Sequence, residues 1–343
     1  MKINKFFLSL AGATMLLASC GVEDLELGNS TTAPVSSSCP SVEFATSNNT
    51  AVEVDPSDTQ FNLTVVRKDS AAAEYDIKVV ENENNTFEVP AKVTFAEGET
   101  SKDITVSIKD GAKQGEPIAL ELTFDDSFLN PYTVGYKVLS LTATIIKWET
   151  YGKGYWVGNI INTFYGVQSL PLAVDIEKAV TATSTKYRFA SPYGKVGEEQ
   201  DELGAFLAYP YNEAGNVTGS NEKVVISVNK QDNSASMAVT AIGVDYGAGE
   251  MYMGSVYGNL STNIASYPLG VFTASEKGGK IVFAANSLFL QDNEGPSPCS
   301  AGASTLYLSA DDYKASDFYK EQQTEGGDEG TEEGGDSDAG SEE

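Results

Sequence analysis

Apolar and polar residues alternate through residues 39–146 in short runs that turn residues separate. The apolar members of these runs are Phe61/Leu63/Val65, Tyr75/Ile77/Val79, Val93/Phe95, Ile104/Val106/Ile108, Ile118/Leu120/Leu122/Phe124 and Val138/Leu139/Leu141/Ala143/Ile145. Because the side chains of a strand point alternately to its two faces, each run predicts a strand with one buried face. About seven short strands in a segment of this length predict an antiparallel, immunoglobulin-like β-sandwich.

A second β-rich region follows at residues 147–320, where aromatic residues and glycines are more frequent. Its strand-like runs are residues 172–176, 187–189, 206–209, 224–228, 237–242, 280–283 and 306–308. One short helix is predicted near residues 158–164. The predicted fold class is therefore all-β, with a sandwich followed by a second β domain of sandwich or barrel form.

The stretch at residues 93–100 carries a family resemblance. It reads Val-Thr-Phe-Ala-Glu-Gly-Glu-Thr and precedes the alternating strand of residues 104–108. With Val-Glu-Phe at residues 42–44 and Val-Glu-Val at residues 52–54, it resembles a Calx-beta domain, and the likeness spans nearly all of residues 39–146. The resemblance implies an immunoglobulin-like sandwich.

The Calx-beta resemblance also implies candidate calcium ligands, because some of these domains bind Ca²⁺ through carboxylates at one end. The residues that it carries over are Glu53, Asp110 and Glu116. Gly111 stands where a further acidic residue is expected, and Ca²⁺ takes about six to eight oxygen ligands. Two interpretations stay open here, a calcium site or solvated turn acids on a domain that acts as a spacer.

The N-terminal residues 1–19 combine Lys2 and Lys5 with an apolar stretch and small residues, which is typical of a secretory signal peptide. The run Leu-Ala-Ser-Cys at residues 17–20 resembles the bacterial lipobox, in which cleavage precedes a cysteine that is then acylated. The resemblance implies a mature chain that begins at Cys20 and is tethered to a membrane by its lipid chains.

Glu23, Asp24 and Glu26 follow the acylated cysteine and resemble the export signal of Bacteroidota-type surface lipoproteins. The expected location is the outer membrane, facing the cell exterior, and the alternative is a solvated acidic linker that carries no export signal. Residues 20–38 are predicted to be a flexible tether, and the acidic, glycine-rich residues 321–343 a disordered tail.

Charge and composition exclude several function classes. The chain has 22 Lys+Arg against 49 Asp+Glu, for a net charge of −27, and nucleic-acid binding depends largely on basic residues. Histidine is absent, which removes Ser-His-Asp and Cys-His catalysis and His-ligated zinc. No catalytic signature surrounds the carboxylates, so we expect no enzymatic activity and no cofactor apart from the calcium considered above. Cys39 and Cys299 either form a disulfide, which the secretory route permits, or stay apart.

The densest aromatic segment is the best candidate for ligand binding. It contains Trp148, Tyr151, Tyr155 and Trp156 in a Trp-x-x-x-Gly-x-Gly-x-Trp pattern. Sugars have apolar ring faces and polar edges, so sugar sites combine flat aromatic rings with polar side chains. The alternative is that these aromatic residues fill the core and pair across strands.

The pattern at residues 147–320, placed after a Calx-beta-like module, resembles the C-terminal domain of Bacteroidota surface lipoproteins. Taken together, these features predict a non-catalytic outer-membrane lipoprotein whose C-terminal domain binds a polysaccharide or a partner of a glycan-uptake complex. A structural or adhesive surface protein without a small-molecule ligand is the alternative.

Overall fold

The computed structural model describes residues 41–129, 135–166, 169–210, 217–219 and 222–325. These residues form a sandwich followed by a barrel, so the predicted all-β fold is confirmed. The predicted signal peptide, the lipidated cysteine and the tether lie outside the described residues.

The first domain is a sandwich of two sheets. Its described strands are β1 (Val42–Phe44), β2 (Ala51–Val54), β3 (Gln60–Arg67), β4 (Ala73–Asn82), β5 (Phe87–Glu88), β6 (Lys92–Phe95), β7 (Ser101–Ile108), β8 (Pro117–Phe124) and β9 (Val138–Ile145). One sheet has the order β1-β3-β7-β5 and the other β2-β9-β8-β4-β6. Phe44 of the first sheet stacks on Phe124 of the second with ring centroids 4.8 Å apart, so the alternating apolar faces meet between the sheets as predicted.

The second domain is built around a closed barrel. Its described strands are β10 (Glu149–Val157), β11 (Pro171–Val180), β12 (Ser184–Ala190), β13 (Lys223–Asn229), β14 (Ser234–Met237), β15 (Thr240–Ala241), β16 (Tyr252–Ser255), β17 (Gly270–Thr273), β18 (Lys280–Phe283), β19 (Leu288–Asp292), β20 (Gly295–Pro298) and β21 (Ser304–Tyr307). The described α-helices are α1 (Ile160–Tyr165), α2 (Ala310–Lys314) and α3 (Asp317–Glu325).

Eight of the described strands close the barrel in the order β10-β11-β12-β13-β14-β17-β18-β21, and β15-β16-β19-β20 form a separate sheet. The interior of an eight-stranded barrel is just wide enough to be filled by side chains or to hold one small ligand. Trp156, Phe189 and Phe283 fill it and are fully buried. The barrel interior is therefore a packed core.

Three sequence predictions differ from the structure. Residues 206–209, predicted to be a strand, form only isolated bridges, because Phe206 pairs with Leu172 and Tyr209 with Val196 at separate points. Residues 237–242 are divided, since the chain leaves the barrel after β14 and enters the small sheet at β15. Helix α3 continues past the predicted start of the tail at residue 321, and residues beyond 325 lie outside the described part.

The connection between β9 and β10 is only three residues long and consists of Ile146, Lys147 and Trp148. The backbone N–H of Ile146 donates to the carbonyl of Val54 at 2.9 Å, so this connection is held against the first domain. None of the helices in the described part of the chain has the length and apolar character that crossing a bilayer requires.

Candidate functional site

Two of the four predicted aromatic ligand contacts are core residues. Trp156 is 0% exposed inside the barrel, and its indole N–H donates to the Tyr193 hydroxyl at 2.8 Å. Tyr155 is 2% exposed on the opposite face of β10, where it stacks on Tyr313 with centroids 4.5 Å apart and donates to Asp201 at 3.0 Å. Neither side chain has a surface to offer a ligand, which corrects this part of the prediction in favour of core packing.

Trp148 lies where the two domains meet. The Arg188 guanidinium lies 4.2 Å from the centroid of its ring, and the same guanidinium approaches Asp55 of the first domain at 3.9 Å. Lys186 forms a second ion pair across the boundary, with Glu53 at 2.7 Å. We call these five residues the junction cluster. One face of Trp148 is thus covered by Arg188, and the ring lies beside residues of both domains, so its ligand contact stays a prediction.

Tyr151 differs from its neighbours because it occupies a β-bulge. Thr150 pairs with Glu177 and Gly152 with Ile176, so Tyr151 is the extra residue of β10 and has no register partner on β11. Gly152 has a φ of +147°, a conformation that glycine adopts without strain. Bulges redirect side chains and occur frequently beside functional sites. Because of the bulge, the Tyr151 side chain does not follow the regular inward–outward alternation of the other β10 residues.

The Tyr151 ring is half-buried and lines a groove of about 380 Å³ at the domain boundary. The lining residues are Gly115 of the first domain and Lys147, Glu149, Thr150, Tyr151, Lys178 and Val180 of the connection, β10 and β11. The volume falls within the range of small-molecule sites. We call this feature the junction groove.

Tyr151 is held in a fixed orientation in the junction groove. Its ring meets the edge of Tyr187 with centroids 5.7 Å apart, and the Lys178 ammonium lies 5.0 Å from its centroid. Burial, together with the negative charge of Asp312, raises the pKa of the Tyr151 phenol above its ordinary value of 10.0. The hydroxyl therefore stays neutral at physiological pH and can both donate and accept hydrogen bonds.

The charged groups of the junction groove are two lysines and one glutamate. Lys147 and Glu149 form an exposed ion pair at 2.7 Å, whose hydrogen bond lowers the pKa of Glu149 and raises that of Lys147. Lys178 lies opposite Glu149 in the strand register but has no ion-pair partner among the residues that the structure describes. The groove thus combines one aromatic ring, hydrogen-bonding groups and an excess of positive charge.

The carboxylates that the Calx-beta resemblance carries over do not come together. Glu53 belongs to the junction cluster, and Glu116 pairs with Lys113 at 2.5 Å. Asp110 lies in the turn after β7 beside a different groove. Among the residues that the structure describes, no group of three or more His, Cys, Asp or Glu side chains is placed to hold a metal ion, and the calcium site stays a prediction.

Only one of the three cysteines, Cys299, lies within the described residues. Cys299 is 3% exposed, and burial raises the pKa of its thiol to about 12. Cys39, its predicted disulfide partner, and Cys20, the predicted lipidation site, both lie outside the described residues. The disulfide and the lipidation therefore stay predictions.

Sequence reasoning identified Tyr151 but missed Lys147, Glu149 and Lys178 as groove residues. The glycines of the Trp-x-x-x-Gly-x-Gly-x-Trp pattern could have shown the bulge, because an isolated glycine within a strand indicates an irregularity of this kind. Nothing in the sequence pairs residue 149 with residue 178, since that contact depends on the register between β10 and β11.

No family model matches the chain, and no curated protein is significantly similar to it. Solved structures that it resembles in part include a protein of unknown function from Bacteroides ovatus, at 11% identity over 78% of this chain and 90% of that chain, with a TM-score of 0.28. The CBD12 region of CALX1.2 is 12% identical over 44% of this chain and 80% of its own, with a TM-score of 0.23.

A third partial likeness is to Bacteroides thetaiotamicron EndoBT-3987 with Man5GlcNAc product, at 12% identity and a TM-score of 0.23. The chain spans 30% of the length of that protein. Because the identities and TM-scores are this low, these likenesses carry no conclusion about function.

Proposed function

We propose that this protein is a non-catalytic, lipid-anchored outer-membrane protein that faces the cell exterior and captures a polysaccharide in the junction groove. The observation that carries the proposal is the position of Tyr151, a bulge residue whose half-buried ring lines a polar groove at the domain boundary. A flat ring beside hydrogen-bonding groups matches a sugar, whose ring has apolar faces and polar edges.

The polar groups around Tyr151 suit the hydroxyl groups of a sugar. Thr150 offers a hydroxyl, Glu149 accepts hydrogen bonds and Lys147 donates them. Edge contact with Tyr187 holds the Tyr151 ring, so little side-chain entropy is lost when a ligand stacks on it. The groove can therefore hold a sugar unit without reorganising.

The lipid anchor supports capture of a polymer by a site with a single aromatic ring. Acyl chains on Cys20 would hold many copies of the protein on one membrane. Each CH₂ group that is buried in the bilayer contributes about 0.8 kcal/mol to the free energy of membrane binding. A polysaccharide repeats its sugar unit, so several copies can bind one chain and the total affinity exceeds that of one groove. A neighbouring outer-membrane transporter would then receive the captured glycan.

The state of Glu149 supports binding without catalysis. A general acid for glycoside hydrolysis needs a raised pKa, which burial in an apolar site supplies. Glu149 is exposed, and its ion pair with Lys147 lowers its pKa instead. It is therefore suited to accept hydrogen bonds rather than to donate a proton.

A glycan array tests the proposal with the mature protein and two tyrosine variants. We expect the unaltered protein to bind at least one polysaccharide, and Tyr151→Ala to lose at least about tenfold in affinity because the stacking surface is gone. Tyr252→Ala, which removes an exposed tyrosine of β16 outside the groove, should bind normally. Tyr151→Phe keeps the ring and should retain most of the binding.

Unchanged binding by a folded Tyr151→Ala variant would place the ligand elsewhere. No binding across the whole array would instead favour a structural or adhesive role. The junction cluster supports that second candidate, because its ion pairs connect the two domains, as a surface spacer requires.

A further inference from the structure

The groove lysine Lys178 is distinguished by its position beside two aromatic rings. Its ammonium lies 5.0 Å from the centroid of Tyr151 and 5.8 Å from that of Tyr187. In the described part of the chain it forms no ion pair, although the protein has 49 Asp+Glu against 22 Lys+Arg. A half-buried cation that faces a groove without a carboxylate partner is a site at which a ligand can supply the negative charge.

The acidic side chain that faces Lys178 across the strand pair is engaged elsewhere. Glu149 lies directly across the strand pair from Lys178, where opposite charges normally interact. Its carboxylate instead accepts from Lys147 at 2.7 Å. The two tyrosine rings keep the Lys178 ammonium at the wall of the groove by cation–π attraction.

A second carboxylate near the groove is also satisfied. Asp312 acts on Tyr151 through its charge, but its own oxygen accepts from the Gly279 N–H at 2.9 Å and from the Ser309 hydroxyl at 2.5 Å. Those bonds hold Asp312 on the α2 side of Tyr151, where it does not pair with Lys178.

From this arrangement we infer that the junction groove selects a polysaccharide bearing anionic groups, with Lys178 as the residue that recognises them. The inference rests on the proposed function and names its ligand class. The sugar's apolar face contacts Tyr151, and its carboxylate or sulfate draws the Lys178 ammonium away from the ring. Tyrosine ring and ammonium then contact two parts of the same sugar unit.

The negative net charge of the protein determines how binding of an anionic glycan depends on salt concentration. At −27 the molecule repels a polyanion at long range, so the attraction is confined to the groove. At about 0.15 M salt, charges more than about 8 Å apart are largely screened, which weakens the long-range repulsion more than the direct contact. Binding of an acidic glycan should therefore persist at physiological salt.

Calorimetric titration of the mature protein with oligogalacturonate and with its fully methyl-esterified form tests the inference, because the ester keeps the sugar backbone and replaces each negative charge with a neutral methyl ester. We expect the acid to bind at least about tenfold more tightly than the ester. Chondroitin sulfate and unsulfated chondroitin oligosaccharides form a second pair, in which a difference between the two identifies sulfate as the recognised group.

Substitutions of the charged residues in the groove show which residue is responsible for the preference for the acidic probe. Lys178→Met should weaken binding of the acidic probe by at least about tenfold and leave the ester unchanged, and Lys178→Arg should restore most of the affinity. Glu149→Gln should strengthen acid binding, since it removes the groove's negative charge. Lys195→Met, an exposed lysine outside the groove, should bind as the unaltered protein does.

The outcomes separate this inference from the proposed function. Equal binding of acid and ester, or a folded Lys178→Met variant that binds the acid normally, overturns the inference while leaving glycan capture intact. Absence of binding to these probes and to every glycan of the array overturns both.

Discussion

Tyr151 and Trp156 lie on the same strand and end in opposite environments. Trp156 follows the regular alternation of β10 and enters the barrel core. Tyr151 precedes it across the bulge at Gly152 and lines the junction groove. The two glycines of this segment have separate roles, because Gly152 forms the bulge and Gly154 gives room for close packing.

Replacement of Gly154 by alanine tests the packing role. An added Cβ would meet the side chain of Ile176 and lie 2.7 Å from the carbonyl oxygen of Tyr307, both in the barrel wall. We expect Gly154→Ala to lower the free energy of unfolding by about 1–3 kcal/mol, as overpacked cores do. Denaturant unfolding of the mature chain measures it.

Gly197→Ala is the matched control, because its Cβ would meet only Ala208 at an ordinary contact distance of 3.6 Å. Its free energy of unfolding should change by less than about 0.5 kcal/mol. Equal stability of the two variants would contradict the assignment of Gly154 to close packing.

The strands that the sequence predicted are those with regular alternation. Strands β3, β7 and β8 each bury every second residue, so the pattern and the structure agree. Strand β10 was not predicted, because its consecutive residues Tyr155, Trp156 and Val157 are all buried, on the inside by the barrel and on the outside by the C-terminal helices. Alternation in the sequence disappears where both faces of a strand are covered.

The candidate site was predictable only in part for a related reason. Aromatic density indicated Tyr151 but did not separate it from Tyr155, since only the bulge does so. Lys178 belongs to the neighbouring strand, and its partners are set by register and by the bonds that Glu149 makes. Such contacts depend on tertiary structure and leave no local pattern.

The contacts between the domains predict how stability depends on pH. Burial raises the pKa values of Glu53 and Asp55, but hydrogen bonds and the charges of Lys186 and Arg188 outweigh it, so both lie below their ordinary values of 4.5 and 3.8. A carboxylate with a lowered pKa contributes stability that is fully present above its unfolded pKa and is lost as the pH falls through its folded pKa.

We therefore expect the melting temperature of the mature protein to be nearly constant from pH 7 to about pH 5 and to fall below about pH 4.5. Glu53→Gln should melt lower at pH 7 and lose less stability on acidification than the unaltered protein does. Glu81→Gln, an exposed carboxylate outside the junction cluster, should follow the unaltered protein. A Glu53→Gln profile parallel to that of the unaltered protein would contradict the role of this ion pair.

The molecule as a whole consists of a sandwich, a barrel and a groove between them, preceded by a segment that is predicted to be acylated. In the proposed capture, the ion pairs between the domains would help both walls of the groove keep their spacing when a polymer is held. The first domain would separate the proposed binding site from the membrane, and the acidic surface would keep neighbouring copies apart.

The most direct test of polysaccharide capture at the cell surface is the binding of a fluorescent glycan, chosen from the array, to intact cells that produce the full chain. Cells with the unaltered protein should be labelled. Cells that display Tyr151→Ala in equal amount should not, and Cys20→Ser should abolish labelling by removing the protein from the surface. Equal labelling of the unaltered and Tyr151→Ala cells would contradict capture at the junction groove.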